Sequence, residues 1–223
     1  IVVNSLEFKK DLKKQLNLNS ICIYNPLNIF EIIKKSKYRS KKIFNNAKLK
    51  IINIGRLTEQ KDQITILKAL NIIKKKIDFE MIIIGKGILR KKLLNYIKLN
   101  KLGNKVKILN FVENPYPFLK QSNLFILSSR FEGLPNVLLE TLALKKFIIS
   151  SNCRTGPKEI LLNGKGGLLF NVGNYKQLAK QILYFNNNKS YCKKLLHKST
   201  GKLYRFNYDL NLEKYYKLII SIK

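Results

Sequence analysis

The sequence predicts an α/β fold of the doubly wound, Rossmann-like type, with six parallel strands in one sheet. From Lys50 onward six short apolar runs recur, and amphipathic segments with helical spacing separate most of them. This alternation is typical of a parallel sheet that is covered by helices on both faces. Such sheets commonly have the strand order 3-2-1-4-5-6 and bind ligands outside the carboxyl ends of the first and fourth strands. The fold class alone therefore predicts the position of a ligand crevice.

The first 49 residues are less regular than the rest of the chain. Residues 1–3 form the end of a strand, and Ser5 is a suitable N-cap for a helix over 6–16. A short strand is expected over 21–24, where Asn25-Pro26 ends it. Residues 27–49 then form a linker with one Lys-rich helix.

From Lys50 onward the elements follow from hydrophobic periodicity. The predicted strands cover 51–54, 79–84, 106–110, 124–127, 147–150 and 167–170. The predicted helices lie near 63–76, 88–99, 136–145, 157–162, 175–185, 189–199 and 210–222. No helix is predicted between the third and fourth of these strands.

The composition indicates a cytoplasmic globular protein. The chain is 45% hydrophobic, which is ample for a core, yet no apolar run approaches the roughly 18 residues of a membrane span. No signal peptide is evident. Since the chain begins Ile-Val-Val-Asn and Met81 is its only methionine, we expect a fragment or a truncated product. Cys22, Cys153 and Cys192 are far apart and are expected to be free thiols, and the single histidine, His197, argues against a histidine-based metal site.

The net charge of +31 raises the question of a nucleic-acid ligand. Six of the 44 basic residues are arginines, which leaves 38 lysines, and these are scattered along nearly every predicted helix. Base readout favours arginine, so drift toward AT-rich codons explains the lysines better than nucleic-acid binding does. A peripheral contact with anionic lipid on the inner face of the membrane is the more credible consequence.

The most informative segment is Arg130–Leu142, which reads R-F-E-G-L-P-N-V-L-L-E-T-L. Glu132 precedes a turn and Glu140 follows in the predicted helix, with Pro135 at the first helical position, N1, where its missing N–H is no loss. The free N–H groups of a helix start favour an anion, and a carboxylate inside the helix can accept hydrogen bonds from hydroxyls. A phosphate and a diol together describe a nucleotide sugar.

This pattern resembles the E-x7-E signature of the retaining glycosyltransferases of group 1 (family four), which have the GT-B fold. Four further elements resemble that family in the same order: Gly55-Arg56-Leu57 with Gln60-Lys61-Asp62, Ile84-Gly85-Lys86-Gly87 with Leu89-Arg90, Phe111-Val112 with Asn114-Pro115-Tyr116, and Gly156-Pro157-Lys158-Glu159-Ile160. The resemblance implies that the sheet is the C-terminal half of a GT-B fold. It divides the chain into a remnant of the N-terminal acceptor domain (1–25), a linker (26–49), a nucleotide-sugar donor-binding domain (50–208) and a C-terminal helix (209–223).

The resemblance also assigns roles to individual residues. Arg56 and Lys61 would hold the donor phosphates, Glu140 the ribose hydroxyls, and Glu132 would lie near the transferred sugar. The predicted catalytic residues are Glu132, Arg56 and Lys61. The predicted donor-binding residues are Gly55, Arg56, Lys61, Phe111, Val112, Glu132, Gly133, Leu134, Asn136, Val137 and Glu140.

Four further residues are interpreted separately. Gly85 and Gly87 form either a simple turn or part of the ligand site. Glu159 is expected to be structural, as an N-terminal capping residue. At Lys145 the family usually has a glycine that ends the helix in a left-handed turn, and a lysine there costs up to about 1 kcal/mol.

The expected function is transfer of a sugar from a nucleotide diphosphate sugar to a sugar or lipid-linked acceptor, with retention, in surface polysaccharide or glycolipid assembly. No cofactor and no metal are expected, because two cations can neutralise the diphosphate and no Asp-x-Asp stands at the site. One alternative is a nucleotide-sugar epimerase of the same fold. Another is a non-catalytic module that binds anionic surfaces or nucleic acid. The sequence does not determine the sugar, the nucleobase or the acceptor.

Overall fold

The computed structural model of the protein describes residues 1–45 and 47–221. Asn46, in the predicted linker, and residues 222 and 223, at the end of the predicted last helix, lie outside this range. The strands are β1 (Val2–Val3), β2 (Ile21–Cys22), β3 (Leu49–Ile54), β4 (Phe79–Ile84), β5 (Val106–Leu109), β6 (Leu124–Leu127), β7 (Phe147–Ser151) and β8 (Leu168–Phe170). The helices are α1 (Leu6–Leu16), α2 (Ile29–Lys35), α3 (Gln63–Ile73), α4 (Arg90–Leu99), α5 (Tyr116–Gln121), α6 (Asn136–Ala143), α7 (Pro157–Ile160), α8 (Tyr175–Asn187), α9 (Lys189–Thr200) and α10 (Tyr208–Ile220).

Six strands form one parallel sheet in the order β5-β4-β3-β6-β7-β8. Counted along the chain this is 3-2-1-4-5-6, so the predicted doubly wound order is confirmed. β3 pairs with β4 on one side, and on the other side its residues Ile51 and Ile52 pair with Leu124 and Phe125 of β6. The order reverses between β3 and β6, and the crevice therefore lies at the carboxyl ends of these two strands.

The core consists of two clusters, one on each face of the sheet. In β3, Ile51 packs with Ile66 of α3, whereas the next residue, Ile52, packs with Leu138 of α6. Successive residues of a strand point to opposite faces, so both faces of a covered sheet must be apolar. This explains why the strands appear in the sequence as continuous apolar runs.

Helix α5 is an element that the sequence did not predict. It lies between β5 and β6, is six residues long and begins directly after Pro115. The side-chain oxygen of Asn114 accepts a hydrogen bond from the backbone N–H of Tyr116 at 3.3 Å. Two prolines in four residues indicate a break in most contexts, but proline is tolerated in the first turn of a helix, where its N–H has no partner to lose.

Pro135 lies one position earlier than predicted. Helix α6 begins at Asn136, and Pro135 is the N-cap, with φ −73° and ψ 101°. The prediction of N1 was wrong by one residue, because the fixed φ of proline is compatible with both positions. At the other end of α6 the prediction of a left-handed residue is confirmed, since Lys145 has φ +55°.

The N-terminal segment packs onto the large sheet through Glu159 of α7. The cap at Ser5 is confirmed, because its hydroxyl accepts from the N–H of Phe8 at 3.1 Å. The Glu159 carboxylate accepts from the N–H of Leu6 at 2.9 Å and from the hydroxyl of Tyr24. Glu159 is therefore structural, as predicted, but the predicted cap on its own helix is wrong, because its carboxylate caps α1 and α7 has no side-chain cap. No helix among the described residues has the length and apolarity needed to cross a membrane.

Candidate active site

The loops that follow β3 and β6 are held together at the carboxyl edge of the sheet. Lys61 Nζ lies 2.5 Å from Glu132 Oε1. Gln60 donates from its side chain to the carbonyl of Phe131 at 3.1 Å, and its own carbonyl accepts from the N–H of Arg130 at 2.8 Å. These contacts join residues about 70 positions apart in the sequence. They bring Lys61 and Glu132, both predicted site residues, to the point where the strand order reverses.

Glu132 is held from several directions. Its side chain is 8% exposed, and Oε1 accepts from the Ser129 hydroxyl at 2.6 Å as well as from Lys61. Its backbone carbonyl accepts from the hydroxyl of Thr155. A partly buried ion pair with additional hydrogen bonds fixes its geometry more strongly than an exposed pair does. The Glu132 carboxylate is therefore in a fixed position beside the crevice.

Arg56 is more exposed than Lys61 and contacts its own loop. Its guanidinium donates to the side-chain oxygen of Gln60 at 3.1 Å. Gln63 at the start of α3 donates to the Arg56 carbonyl at 2.9 Å, which fixes the backbone of this loop. The structure therefore places Arg56 at the rim of the crevice, with most of its guanidinium directed to solvent.

Gly85 and Gly87 support the loop that carries Arg56. A Cβ on Gly85 would lie 2.0 Å from the carbonyl oxygen of Gly55, and one on Gly87 would lie 2.4 Å from that of Leu57. The loop after β4 therefore packs directly against the backbone of the loop after β3. Close packing of backbone against backbone is sufficient to explain both glycines. Of the two alternatives, a simple turn and a part of the ligand site, the turn accounts for them.

The start of α6 is reached by side chains from the N-terminal segment. Asn25 donates to the side-chain oxygen of Asn136 at 2.7 Å, and Asn4 donates to Asn25 at 3.4 Å. Gly133 lies next to the Asn4 amide, at 3.6 Å for a Cβ placed on the glycine, whereas Leu134 is buried. The sequence analysis missed Asn4 and Asn25. Asn25-Pro26 is readily interpreted as a strand end, and no short-range pattern links it to residue 136.

Glu140 lies further along α6 and faces α2 and α5. It lines a cavity of about 150 Å³ together with Tyr116, Glu31 and Lys35. Burial raises the pKa of the Glu140 carboxyl, and the hydroxyl of Tyr116 opposes that shift. Burial and the adjacent Glu140 in turn raise the pKa of Tyr116 to about 12. The sequence named Tyr116 within the Asn114-Pro115-Tyr116 element but indicated no role for it, because it lies in the unpredicted helix α5.

The two acids of the E-x7-E pattern line different cavities. Glu132 contributes to a cavity of about 260 Å³ that Phe8 and Leu12 of α1, Phe131 and Arg154 also line. Glu140 does not line that cavity, and Glu132 does not line the cavity of Glu140. The helix start at Asn136 lies between them in the sequence. The arrangement suits an extended ligand that passes the helix start and presents different groups to the two carboxylates.

Phe111 and Val112 follow β5, two strands away from β3. The Phe111 ring is 63% exposed, and Lys86 Nζ lies 5.6 Å from its centroid. Val112 and Val137 are half-buried and pack against the core cluster that contains Ile52. The structure therefore places Phe111 beside the loop after β4, after a strand that is separated from β3 by β4.

The remaining candidate groups are the cysteine thiols and the side chains that can bind a metal ion. The predicted free thiols are confirmed, since Cys22, Cys153 and Cys192 form no disulfide. Over residues 1–45 and 47–221 no group of three or more His, Cys, Asp or Glu side chains is placed to hold a metal ion.

Comparison with known proteins gives concordant results. The family described as glycosyl transferases group 1 matches residues 34–200. An uncharacterized glycosyltransferase of Methanocaldococcus jannaschii is 38% identical over 168 residues, which cover 72% of this chain and 41% of that protein. A Campylobacter jejuni protein named GalNAc-alpha-(1->4)-GalNAc-alpha-(1->3)-diNAcBac-PP-undecaprenol alpha-1,4-N-acetyl-D-galactosaminyltransferase is 31% identical over 175 residues, which cover 78% of this chain and 48% of that protein.

The chain thus spans less than half the length of these two curated relatives. Among solved structures, a mutant of Staphylococcus aureus TarM in complex with Fondaparinux, alpha-GlcNAc-glycerol and UDP superposes with a TM-score of 0.82 at 21% identity. That superposition covers 97% of this chain and 43% of TarM. At this identity the likeness shows the fold alone, and the fold is the predicted one.

Proposed function

The chain belongs to the group 1 glycosyltransferases, and we propose that it binds a nucleotide diphosphate sugar and serves its transfer to an acceptor hydroxyl with retention. The process served is the assembly of a polysaccharide or glycolipid. The observation that carries this proposal is the Lys61–Glu132 contact at the crevice between β3 and β6. This contact places the Lys61 ammonium, which can bind a phosphate, next to the Glu132 carboxylate, which can bind a sugar.

Lys61 and Arg56 suit the diphosphate of the donor. A lysine ammonium has three N–H donors, so Lys61 can bind Glu132 and a phosphate oxygen together. Arg56 at the rim can add a planar fork of donors. Negative charge grows on the leaving diphosphate in the transition state, and fixed cations stabilise it there. We propose that these two cations remove the need for a metal.

Glu140 and Tyr116 suit the ribose of the same nucleotide. An ionised carboxylate accepts hydrogen bonds and can hold both hydroxyls of a diol. Tyr116 lines the same cavity, beside the Glu140 carboxylate. Glu132, in the other cavity, would then lie beside the transferred sugar. An extended donor that passes the start of α6 makes both contacts without moving either acid.

The names of similar proteins support the choice of partners. The Campylobacter jejuni relative is named for a sugar acceptor on a diphosphate-linked undecaprenol, and the TarM structure contains UDP. We infer a UDP-sugar as the first donor to test and a lipid-linked sugar as the acceptor class. A lipid-linked acceptor would bring the protein to a membrane surface, where a net charge of +31 favours anionic headgroups.

A donor screen tests the proposal directly. Melting temperature and calorimetric affinity are measured with UDP-, GDP- and ADP-sugars, using the free sugars as controls. We expect one nucleotide series to bind, and the affinity to fall in Arg56→Ala and Lys61→Ala. Failure of all three series to bind would reject the donor assignment. A new sugar nucleotide formed without acceptor would favour the epimerase alternative.

A further inference from the structure

A second concentration of charge lies at the opposite edge of the sheet, where the strands begin. A cavity of about 290 Å³ opens there, beside the starts of β6 and β7 and along α9. The proposed donor site does not use it. None of the residues that line it is acidic, and we call it the lysine cavity because five of them are lysines. These are Lys48, Lys145, Lys146, Lys189 and Lys193.

The floor of the lysine cavity is apolar and rigid. The rings of Phe147, at the start of β7, and Phe185, near the end of α8, stack with centroids 4.8 Å apart and an interplanar angle of 11°. Lys189 Nζ lies 3.6 Å from the centroid of the Phe185 ring, which holds one ammonium group over the aromatic surface. The cavity therefore has an aromatic floor, with the Lys189 ammonium over it and four further lysines in its lining.

Among the described residues the five ammonium groups form no ion pair, although the Asp78 carboxylate accepts from the backbone N–H of Lys48 at 3.1 Å and lies 3.9 Å from Lys105 Nζ. In the described part of the chain, no carboxylate lies within 4.0 Å of any of the five ammonium groups. Glu159 is the one acidic residue between positions 141 and 208 of the sequence. Burial, together with Lys120 and Lys50, lowers the pKa of Lys146, the half-buried member. Like charges around one cavity oppose folding, and a bound anion would relieve their repulsion.

Lys145 and Lys146 each occupy a position where another residue type would make the fold more stable. Lys145 occupies a left-handed backbone position, with φ +55°, where a glycine would be less strained. Lys146 follows it at a half-buried site directly before β7, where an apolar side chain would cost nothing in desolvation. Local choices that lower stability without a structural gain are concentrated at functional sites. Both side chains line the same cavity.

We propose that the lysine cavity binds a phosphate-bearing anion, either a free phosphate compound or the headgroup of an anionic lipid. Ammonium groups bind phosphate as point charges, and several around one cavity suit a group with more than one negative charge. The site is separate from the donor crevice. Six residues of β3 lie between the two edges, which corresponds to roughly 20 Å at the rise of a strand, so one small ligand cannot reach both.

Acylation footprinting tests the site without depending on the donor proposal. The protein is treated with limiting acetic anhydride at constant ionic strength, with and without inorganic pyrophosphate, and each lysine is quantified by mass spectrometry. We expect pyrophosphate to protect the five lysines of the cavity, whereas the exposed Lys98 and Lys107 react unchanged. Binding in the donor crevice is measured separately at Lys61. Equal protection at Lys98, Lys107 and the cavity would overturn the proposal, because it would reflect net charge alone.

Matched double variants distinguish the source of the anion. Lys146→Gln/Lys193→Gln removes two charges from the cavity, and Lys98→Gln/Lys107→Gln removes the same charge elsewhere. Sedimentation with phosphatidylcholine vesicles, with and without phosphatidylglycerol, measures lipid binding. If a headgroup is the ligand, the cavity variant should lose roughly tenfold in binding to anionic vesicles and the matched variant should not. Protection by pyrophosphate but not by vesicles would identify a free phosphate compound. Equal loss in both variants together with no site-specific protection would reject the site.

Discussion

Lys61 Nζ lies 2.5 Å from Oε1 of Glu132, across the crevice between the two loops at which the strand order reverses. The side chains are 17% and 8% exposed, so water screens the pair only partly. Each residue therefore depends on the other for both position and charge balance. Removing either partner should affect the stability of the fold as well as the binding of the proposed donor.

Lys61→Ala should weaken binding of the nucleotide diphosphate by roughly ten- to a hundredfold, because a charged hydrogen bond contributes about 1.5–3 kcal/mol. It should also lower the melting temperature, since it leaves Glu132 in a poorly solvated site with Ser129 as its remaining side-chain donor. Calorimetry with UDP and thermal unfolding measure the two effects. Lys92→Ala, which removes an exposed pair with Glu59, is the control and should change neither by much. Unchanged affinity in Lys61→Ala would remove the phosphate assignment.

Glu140→Gln should raise the stability of the fold but weaken binding of the nucleotide. Burial raises the pKa of this carboxyl in the folded protein above the ordinary glutamate value of 4.5, so the folded state holds its proton more tightly than the unfolded state. The free energy of unfolding then falls as pH rises from about 4.5 through the folded pKa. Glutamine does not titrate, so the variant should be more stable than wild type above this window and similar to it below. Each 1 kcal/mol gained raises the melting temperature by roughly 2–4 °C.

The same Glu140→Gln variant should bind UDP more weakly, because its amide replaces a carboxylate that can accept from both ribose hydroxyls. A 2′,3′-dideoxy nucleotide, which has no diol, should bind wild type and variant alike. Glu59→Gln, at an exposed carboxylate, is the control for both measurements and should alter stability by less than about 0.5 kcal/mol. Equal losses for the two nucleotides would show that Glu140 does not hold the ribose.

Lys145→Gly should raise the free energy of unfolding by up to about 1 kcal/mol, because glycine adopts the left-handed backbone at φ +55° without steric cost. Urea unfolding measures the gain. Lys101→Gly is a matched variant, at a second lysine with positive φ (+52°) and away from the lysine cavity, and should behave similarly. Lys193→Gly, inside α9, should instead lose about 1 kcal/mol. A loss of stability in Lys145→Gly would mean that its side chain contributes more than the strain costs.

Glu159→Ala should loosen the N-terminal segment. The carboxylate accepts from the N–H of Leu6 and from the hydroxyl of Tyr24, so its removal should cost about 1–3 kcal/mol and increase hydrogen exchange in α1. Asp11→Ala is the control, because it removes a more exposed pair with Arg154 in the same region and should cost less than about 1 kcal/mol. Equal exchange in α1 in wild type and Glu159→Ala would show that this contact does not hold the segment.

Much of the fold could be predicted because it depends on neighbours in the sequence. The continuous apolar run of β3, the 3.6-residue spacing of the helices and the left-handed turn at Lys145 each depend on residues within a few positions of one another. The strand order instead follows from the fold class that this pattern predicts, and the structure confirms it. Local patterns fail where one residue type permits two structures, as with Pro115 before the unpredicted α5 and Pro135 at the start of α6.

The candidate site was predicted only in part, because a motif names residues without showing what surrounds them. The sequence alone identified Lys61, Glu132 and Glu140 as chemically suited to a nucleotide sugar. Only the tertiary structure showed that Lys61 and Glu132 pair, that Glu140 lines a separate cavity with Tyr116, and that five scattered lysines line one cavity at the far edge of the sheet. The physical reason is that these contacts depend on strand order and helix packing, which join positions more than 20 residues apart. Periodicity records which face of an element is buried, but it carries no information about which distant side chain meets that face.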